Sequence, residues 1–333
     1  MKYPFYTAEA TQKPSQPVAL PEYRLKIQTA PEGYIADKGL VGAVNVALLL
    51  GQPLLLTGEP GTGKTQLAYS LAWQLGLGKP LKFETKSDST ARELFYRYDA
   101  IGHFRASQQA ALLNQEVNAA DYIELNALGN AIVHSNPKDK IVDLLPLLDS
   151  SYTEPRRSVV LIDEIDKAPR DFPNDILNEV EHYHFYMPEL GKNIKIEANQ
   201  ERQPILVLTS NAEKYLPDAF LRRCIYYNIP FPDRARLEEI VIKRLAEFTQ
   251  GDDFLAKALE FFLLLRQYDY DLHKKPATAE LLNWLSILRG DMFKGVKNPV
   301  AKKSDELSYS LSSLVKNAND QETAQEILEY WLK

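Results

Sequence analysis

Residues 58–65 read Gly-Glu-Pro-Gly-Thr-Gly-Lys-Thr, a glycine followed after four residues by Gly-Lys-Thr. This spacing constrains the fold more than any other feature of the chain. It works only where a buried strand delivers the loop and a helix leaves it, so that free N–H groups of the loop and first helical turn converge on an anion. Both flanks are present. Pro53-Leu54-Leu55-Leu56-Thr57 is a short apolar run suited to a strand covered on both faces, and Gln66 to Leu75 carries helical spacing stopped by Gly76 and Gly78. The expected phosphate cradle comprises Gly58, Glu59, Pro60, Gly61, Thr62, Gly63, Lys64, Thr65 and Gln66. In it Gly61 and Gly63 permit close backbone approach, Lys64 offers a point charge to the β and γ phosphates, and the Thr65 hydroxyl is a ligand for Mg²⁺. The competing reading is a tight glycine turn with a solvated lysine.

Ser158-Val159-Val160-Leu161-Ile162 is a second buried-strand run, and it ends in Asp163-Glu164. Doubly wound sheets present ligands at the C-terminal ends of their strands, so these carboxylates point to the same crevice as the loop. Asp163 is the candidate for holding Mg²⁺ through water, and Glu164 for polarising a water that attacks the γ phosphate. Leu81 to Thr85 and Ile205 to Leu208 read as further strands, the latter closed by Thr209-Ser210-Asn211. Between them helices are expected over Ala91 to Tyr96 behind Asp88 or Ser89, over Asp121 to Val133, over Lys140 to Leu148, and from Pro173 with Ile176, Leu177 and Val180 on one face. A hairpin is expected around Phe185, Met187, Gly191, Ile194 and Ile196. Strands alternating with helices predict an α/β domain with a parallel sheet.

After Pro230 and Pro232 the pattern changes to amphipathic helices alone, at Arg234 to Thr249, Asp253 to Tyr268, Thr278 to Leu288 and Gln321 to Leu332. Five prolines in the first 31 residues favour an extended arm, whose Tyr3, Phe5, Tyr6 and Tyr23 are candidates for packing on a neighbour. The predicted organisation is an arm over 1–32, an α/β nucleotide-binding domain over 33–232 and a small all-helical domain over 233–333.

Charge and cysteine content exclude other classes. The net charge is −6 and there is no Lys/Arg cluster, which counts against direct nucleic-acid binding. Cys224 is the only cysteine, so neither an intrachain disulfide nor a multi-cysteine zinc site can form. His182 and His184 have the spacing of a metal pair without an apparent third ligand. The N-terminus lacks the apolar stretch of a secretory signal, and the run from Leu40 to Leu56 is interrupted by Asn45, Gly51, Gln52 and Pro53. The expectation is a soluble cytoplasmic protein.

The combination GEPGTGKT, VVLIDEIDKAP and LTSN, in this order, resembles the AAA+ ATPases. The phrases SDSTARELFYRYDAIGHFR, VVLIDEIDKAPRDFPNDILNEVE, PELG, PILVLTSNAEKYLPDAFLRRCIYYNIPFP and KPATAELLNWL are similar to the MoxR-like ATPases and the related dynein-type branch, over about Tyr34 to Leu288. The resemblance implies a P-loop NTPase three-layer parallel sheet followed by a helical lid, ATP and Mg²⁺ as cofactors, and a homo-oligomeric ring, hexameric by family expectation. It further implies a partner protein, such as one bearing a von Willebrand factor A domain, that the ATPase remodels or activates. It assigns Asn211 as the polar sensor of the hydrolytic water, Arg222 and Arg223 as the segment supplying an arginine finger, with Arg223 favoured, and Tyr34 and Ile35 as flanking the adenine. The family's lid arginine has no counterpart, because Ala277, Thr278, Ala279 and Glu280 follow Pro276. Lys274 and Lys275 are the substitutes at hand. An aromatic hairpin after the acidic pair projects toward the pore in similar ATPases, which makes Phe185, Tyr186 and Met187 candidates for client contact against the plainer reading of cross-strand packing. A GTP- or ATP-driven motor of a restriction or defence complex and a slowly hydrolysing nucleotide-gated scaffold are the other readings.

Overall fold

The computed structural model describes residues 16–18, 20, 30–113, 115–148, 152–190, 194–211, 214–267, 272–290, 296–301 and 304–333. Most of the expected arm over 1–32, its tyrosines and Phe5 included, lies outside the described residues, as does Gly191 of the expected hairpin. The chain divides into two compact units. One comprises 36–58 and 63–230; the other comprises 1–35, 59–62 and 231–333. Residues 33–35 and 59–62 thus group with the C-terminal helices, which a reading along the chain does not foresee.

The first unit is built on a five-stranded, wholly parallel sheet in the order β2 (Leu81–Glu84), β5 (Val159–Asp163), β8 (Ile205–Thr209), β1 (Leu54–Thr57) and β9 (Ile225–Asn228). The three interior strands carry near-continuous apolar runs because helices cover both of their faces, and almost every residue in them is buried. Pairing puts Phe83, Ile162, Leu208 and Leu55 in one row across the sheet. This row enters a core with Leu128, Ile132 and Val133 of a helix at Ala127–His134. The opposite parity, Leu54, Leu161 and Val207, faces away from it, and at the carboxyl end its row is polar on β2, β5 and β8, with Glu84, Asp163 and Thr209, and is completed by Leu56 of β1. The helix at Lys64–Gln74 packs on β5 and β8 and buries Leu67, Ala68, Leu71 and Ala72.

Several expectations in the middle third are corrected. Ala91–Leu94 is a single 3₁₀ turn capped by Thr90 rather than by Asp88 or Ser89, and Tyr96 begins a strand. The span expected as a helix from Asp121 to Val133 is a 3₁₀ turn to Tyr122, strand β4 (Ile123–Leu125) and then the helix. β4 pairs antiparallel with β3 (Tyr96–Tyr98), and a helix at Ala100–Leu112 lies between them in the chain. Lys140 to Leu148 forms 3₁₀ turns, because Pro146 cannot continue an α-helical ladder. β9 adds an edge strand that the sequence pattern does not announce, and its residues alternate half-buried and exposed, as an edge strand does. The hairpin is present as β6 (His184–Met187) and β7 (Ile194–Glu197).

In the second unit the described C-terminal residues are helical, with helices at Arg234–Arg244, Asp253–Leu264, Thr278–Arg289, Asp305–Ser310 and Ala318–Trp331. Their apolar faces close around Phe254, Phe261, Phe262 and Trp284, all fully buried, and the Trp284 indole N–H donates to Ser310 Oγ at 2.9 Å. No helix among the described residues is long and apolar enough to cross a membrane.

Candidate functional site

The loop after β1 turns on its glycines. Gly63, at φ 91°, holds a left-handed conformation immediately before the helix at Lys64–Gln74, a geometry that a side chain would strain. Lys64 is buried, and its Nζ donates to the Gly58 carbonyl at 2.7 Å, so the ammonium closes over its own loop. The Thr65 hydroxyl donates to Asp163 Oδ1 at 2.9 Å. That proton assignment leaves the lone pairs of Thr65 Oγ1 available to a hard cation, and the oxygen pair formed by Thr65 and Asp163 fits Mg²⁺, which keeps several waters and takes one carboxylate.

Asp163, 9% exposed, has partners at both of its oxygens. Oδ1 accepts from Thr65 and also from the Thr209 hydroxyl at 2.7 Å, while Oδ2 faces Lys82 Nζ at 3.0 Å. Burial pushes its pKa up, yet the donors from Thr209, Lys82 and Thr65 outweigh burial and hold the carboxyl below its ordinary value. Thr209 also accepts from the Glu164 backbone N–H at 2.8 Å, so one hydroxyl ties together both acidic positions. Glu164 stands in the left-handed region at φ 57°, which a non-glycine residue adopts at a cost of about 1–3 kcal/mol. Its side chain accepts from Asn211 Nδ2 at 3.1 Å and pairs with Lys167, and the Asn211 N–H donates to Asp166 Oδ2 at 3.1 Å. The residues expected from sequence at the ends of β1, β5 and β8 are therefore joined in one polar network. Thr209 and Lys82 belong to it without having been singled out. Thr209 stands inside the quoted LTSN phrase, but only the register of β5 against β8 reveals its two contacts.

The loop tip is held within the second unit. Thr62 Oγ1 donates to the Glu59 carbonyl at 2.9 Å, and a Cβ on Gly61 would lie 2.6 Å from Ala277 Cβ. Pro60, Gly61, Lys274, Lys275 and Pro276 share the lining of a cavity of about 460 Å³. Arg266, which no sequence motif marks, reaches Glu59 Oε2 at 2.6 Å and the Pro276 carbonyl at 2.6 Å, and its guanidinium lies 3.4 Å above the Phe231 ring. Tyr34 and Ile35 are half-buried, and the Ile35 carbonyl accepts from Arg236 at 2.9 Å. Gln66 begins the second half of the first helical turn and is half-buried.

Arg222 and Arg223 close a short helix at Asp218–Leu221, and both are exposed. Arg223 Nε donates to Glu181 Oε2 at 2.7 Å and its Nη1 to the Ala219 carbonyl at 3.0 Å. The hairpin aromatics divide: Phe185 and Met187 are buried, Phe185 stacking on Phe95 with ring centroids 5.1 Å apart, and only Tyr186 is exposed. Cross-strand and core packing thus accounts for two of the three. Among the described residues no cluster of three or more His, Cys, Asp or Glu is arranged to hold a metal ion.

The family model described as AAA domain, dynein-related subfamily, matches residues 53–224. Among solved structures the chain is similar to the Thermotoga maritima RuvB Holliday junction branch migration motor, at 16% identity and a TM-score of 0.44, over 85% of this chain and 69% of that one. No curated protein matches the chain.

Proposed function

Because this chain belongs to the dynein-related subfamily of AAA domains, we propose that it is a Mg²⁺-dependent ATPase that hydrolyses nucleotide as a ring and couples turnover to the remodelling of a partner protein. The observation that carries the reading is the single network joining Thr65, Asp163, Thr209, Glu164 and Asn211 at the ends of three adjacent strands. In this reading loop N–H groups and Lys64 bind the β and γ phosphates, Lys64 leaving the Gly58 carbonyl for them. Magnesium, held by Thr65 and Asp163, supplies charge neutralisation at the phosphates when bound. Asn211 holds the Glu164 carboxylate toward the attacking water, and Glu164 draws off its proton. Exposed Arg222 or Arg223 completes the site of the next subunit, a heterologous contact that repeats around a closed ring. The resemblance to MoxR-like ATPases supports a protein client, of which a von Willebrand factor A domain is the expected type, and the acidic balance supports a protein rather than nucleic acid.

The test is phosphate release from ATP and from GTP as a function of protein concentration, for the parent and for Glu164→Gln. Specific activity should rise with concentration and vanish in the variant while nucleotide binding persists. If neither nucleotide is turned over at any concentration the hydrolytic reading fails, and a nucleotide-gated scaffold takes its place.

A further inference from the structure

Lys82 sets an ammonium against Asp163, a carboxylate assigned above to a divalent cation. It lies on β2, the edge strand beside β5, where Lys82 and Glu84 occupy the same face two residues apart and Glu84 stands in register with Asp163. Its Nζ is 3.0 Å from Asp163 Oδ2 and 2.6 Å from Glu84 Oε1. Thr65 and Thr209 both donate to the other oxygen, Oδ1, so Lys82 brings a cation to the carboxylate oxygen that the two hydroxyls leave open. The Glu84 side chain is 71% exposed and that of Lys82 29%, which leaves the pair an open route away from Asp163.

We propose that Lys82 is a tethered counter-cation that neutralises Asp163 when no divalent ion is bound and withdraws onto Glu84 when Mg²⁺ arrives with the nucleotide. This rests on the nucleotide-site reading above and adds to it a positioning residue that sets the divalent-ion requirement. A dication and an ammonium cannot both crowd one carboxylate in a half-buried site without strong repulsion. A lysine is suited to the exchange, being a compact charge on a flexible stem that pivots between two acceptors. Glu84 is the second half of the device: it draws Lys82 aside, and without it the ammonium stays on Asp163.

The experiment measures the coupling between metal and nucleotide, not turnover. The Kd of a fluorescent ADP analogue is determined for the full chain in EDTA and in saturating Mg²⁺, and the ratio of the two is the coupling factor. Lys82→Met should raise that factor about tenfold, because the metal-free site loses its stand-in charge and the metal-loaded site loses a repulsive one. Lys82→Arg should stay within about threefold of the parent, and Glu84→Gln should lower the factor about threefold or more. Opposite signs for Lys82→Met and Glu84→Gln are a result that mere loss of a structural ion pair does not produce. A Lys82→Met factor equal to or below that of the parent overturns the proposal and leaves the nucleotide site standing. If the parent binds no nucleotide in either condition, the nucleotide-site reading itself is lost, and the proposal with it.

Discussion

Thr209→Val is the sharpest probe of the network, since valine keeps the shape of a side chain that is 1% exposed and deletes only its hydroxyl. That hydroxyl donates to Asp163 Oδ1 at 2.7 Å and accepts from the Glu164 N–H at 2.8 Å. A bond to a charged partner contributes about 1.5–3 kcal/mol, and a buried N–H left without an acceptor costs about 1–3 kcal/mol. Allowing for partial relaxation, the loss should be about 3 kcal/mol. In the unit formed by 36–58 and 63–230, a size at which 1 kcal/mol moves Tm by about 2–4 °C, this is a fall of roughly 6–12 °C. The pH dependence separates the two contributions. Asp163 is held below its ordinary value, so its share of stability is complete above the unfolded pKa near 3.9 and disappears as pH falls through the folded value. The Asp163 part of the deficit should therefore be full at pH 7 and shrink below about pH 4, leaving the Glu164 N–H part. Differential scanning calorimetry of parent and variant at pH 7, 5 and 3.5 reads this directly. A Tm within about 1 °C of the parent at pH 7, or a deficit that grows toward acid pH, refutes the reasoning.

Three further outcomes follow from the geometry. Gly61→Ala puts a Cβ 2.6 Å from Ala277 Cβ on a residue at φ 77°, so the loop must shift; binding of fluorescent ADP should weaken at least tenfold, and parent-like affinity would contradict the role of this turn. Phe185→Ala opens a cavity beneath Phe95 and should lower unfolding stability by about 3–5 kcal/mol in urea titration, whereas Tyr186→Ala should change it by less than about 1 kcal/mol. Burial pushes the Cys224 thiol up to about 12, so iodoacetamide at pH 8 should leave the folded protein unmodified over hours and label it rapidly in denaturant; fast labelling of the native chain would place the thiol in solvent.

Much of the site was legible because its parts are local. β1, the loop and the helix from Lys64 occupy one continuous stretch, and β5 and β8 betray themselves by apolar runs that only strands covered on both faces carry. The acidic pair follows directly from where the β5 run ends, whereas Asn211 was assigned by the family resemblance, since an Asn closing a strand by itself reads as a turn former. The edge strand β9 and the β3–β4 pair escaped because short alternating segments resemble loop or helix when their partners are unknown. Arg266, which reaches the Pro276 carbonyl and Glu59 from beyond the end of the helix at Asp253–Leu264, carries no local signal, because the loop tip and Pro276 that it touches are distant from each other in the chain.

The sequence alone determined that a phosphate-binding loop sits between strand and helix, and that carboxylates end a neighbouring strand, because such features depend on residues close together in the chain. Only the tertiary structure decided which groups share a carboxylate. Thr209 and Lys82 meet Asp163 across separations of 46 and 81 residues, through the register of parallel strands whose pairing no local pattern encodes. Register is set by the burial of whole rows such as Phe83, Ile162, Leu208 and Leu55, a property of the assembled sheet.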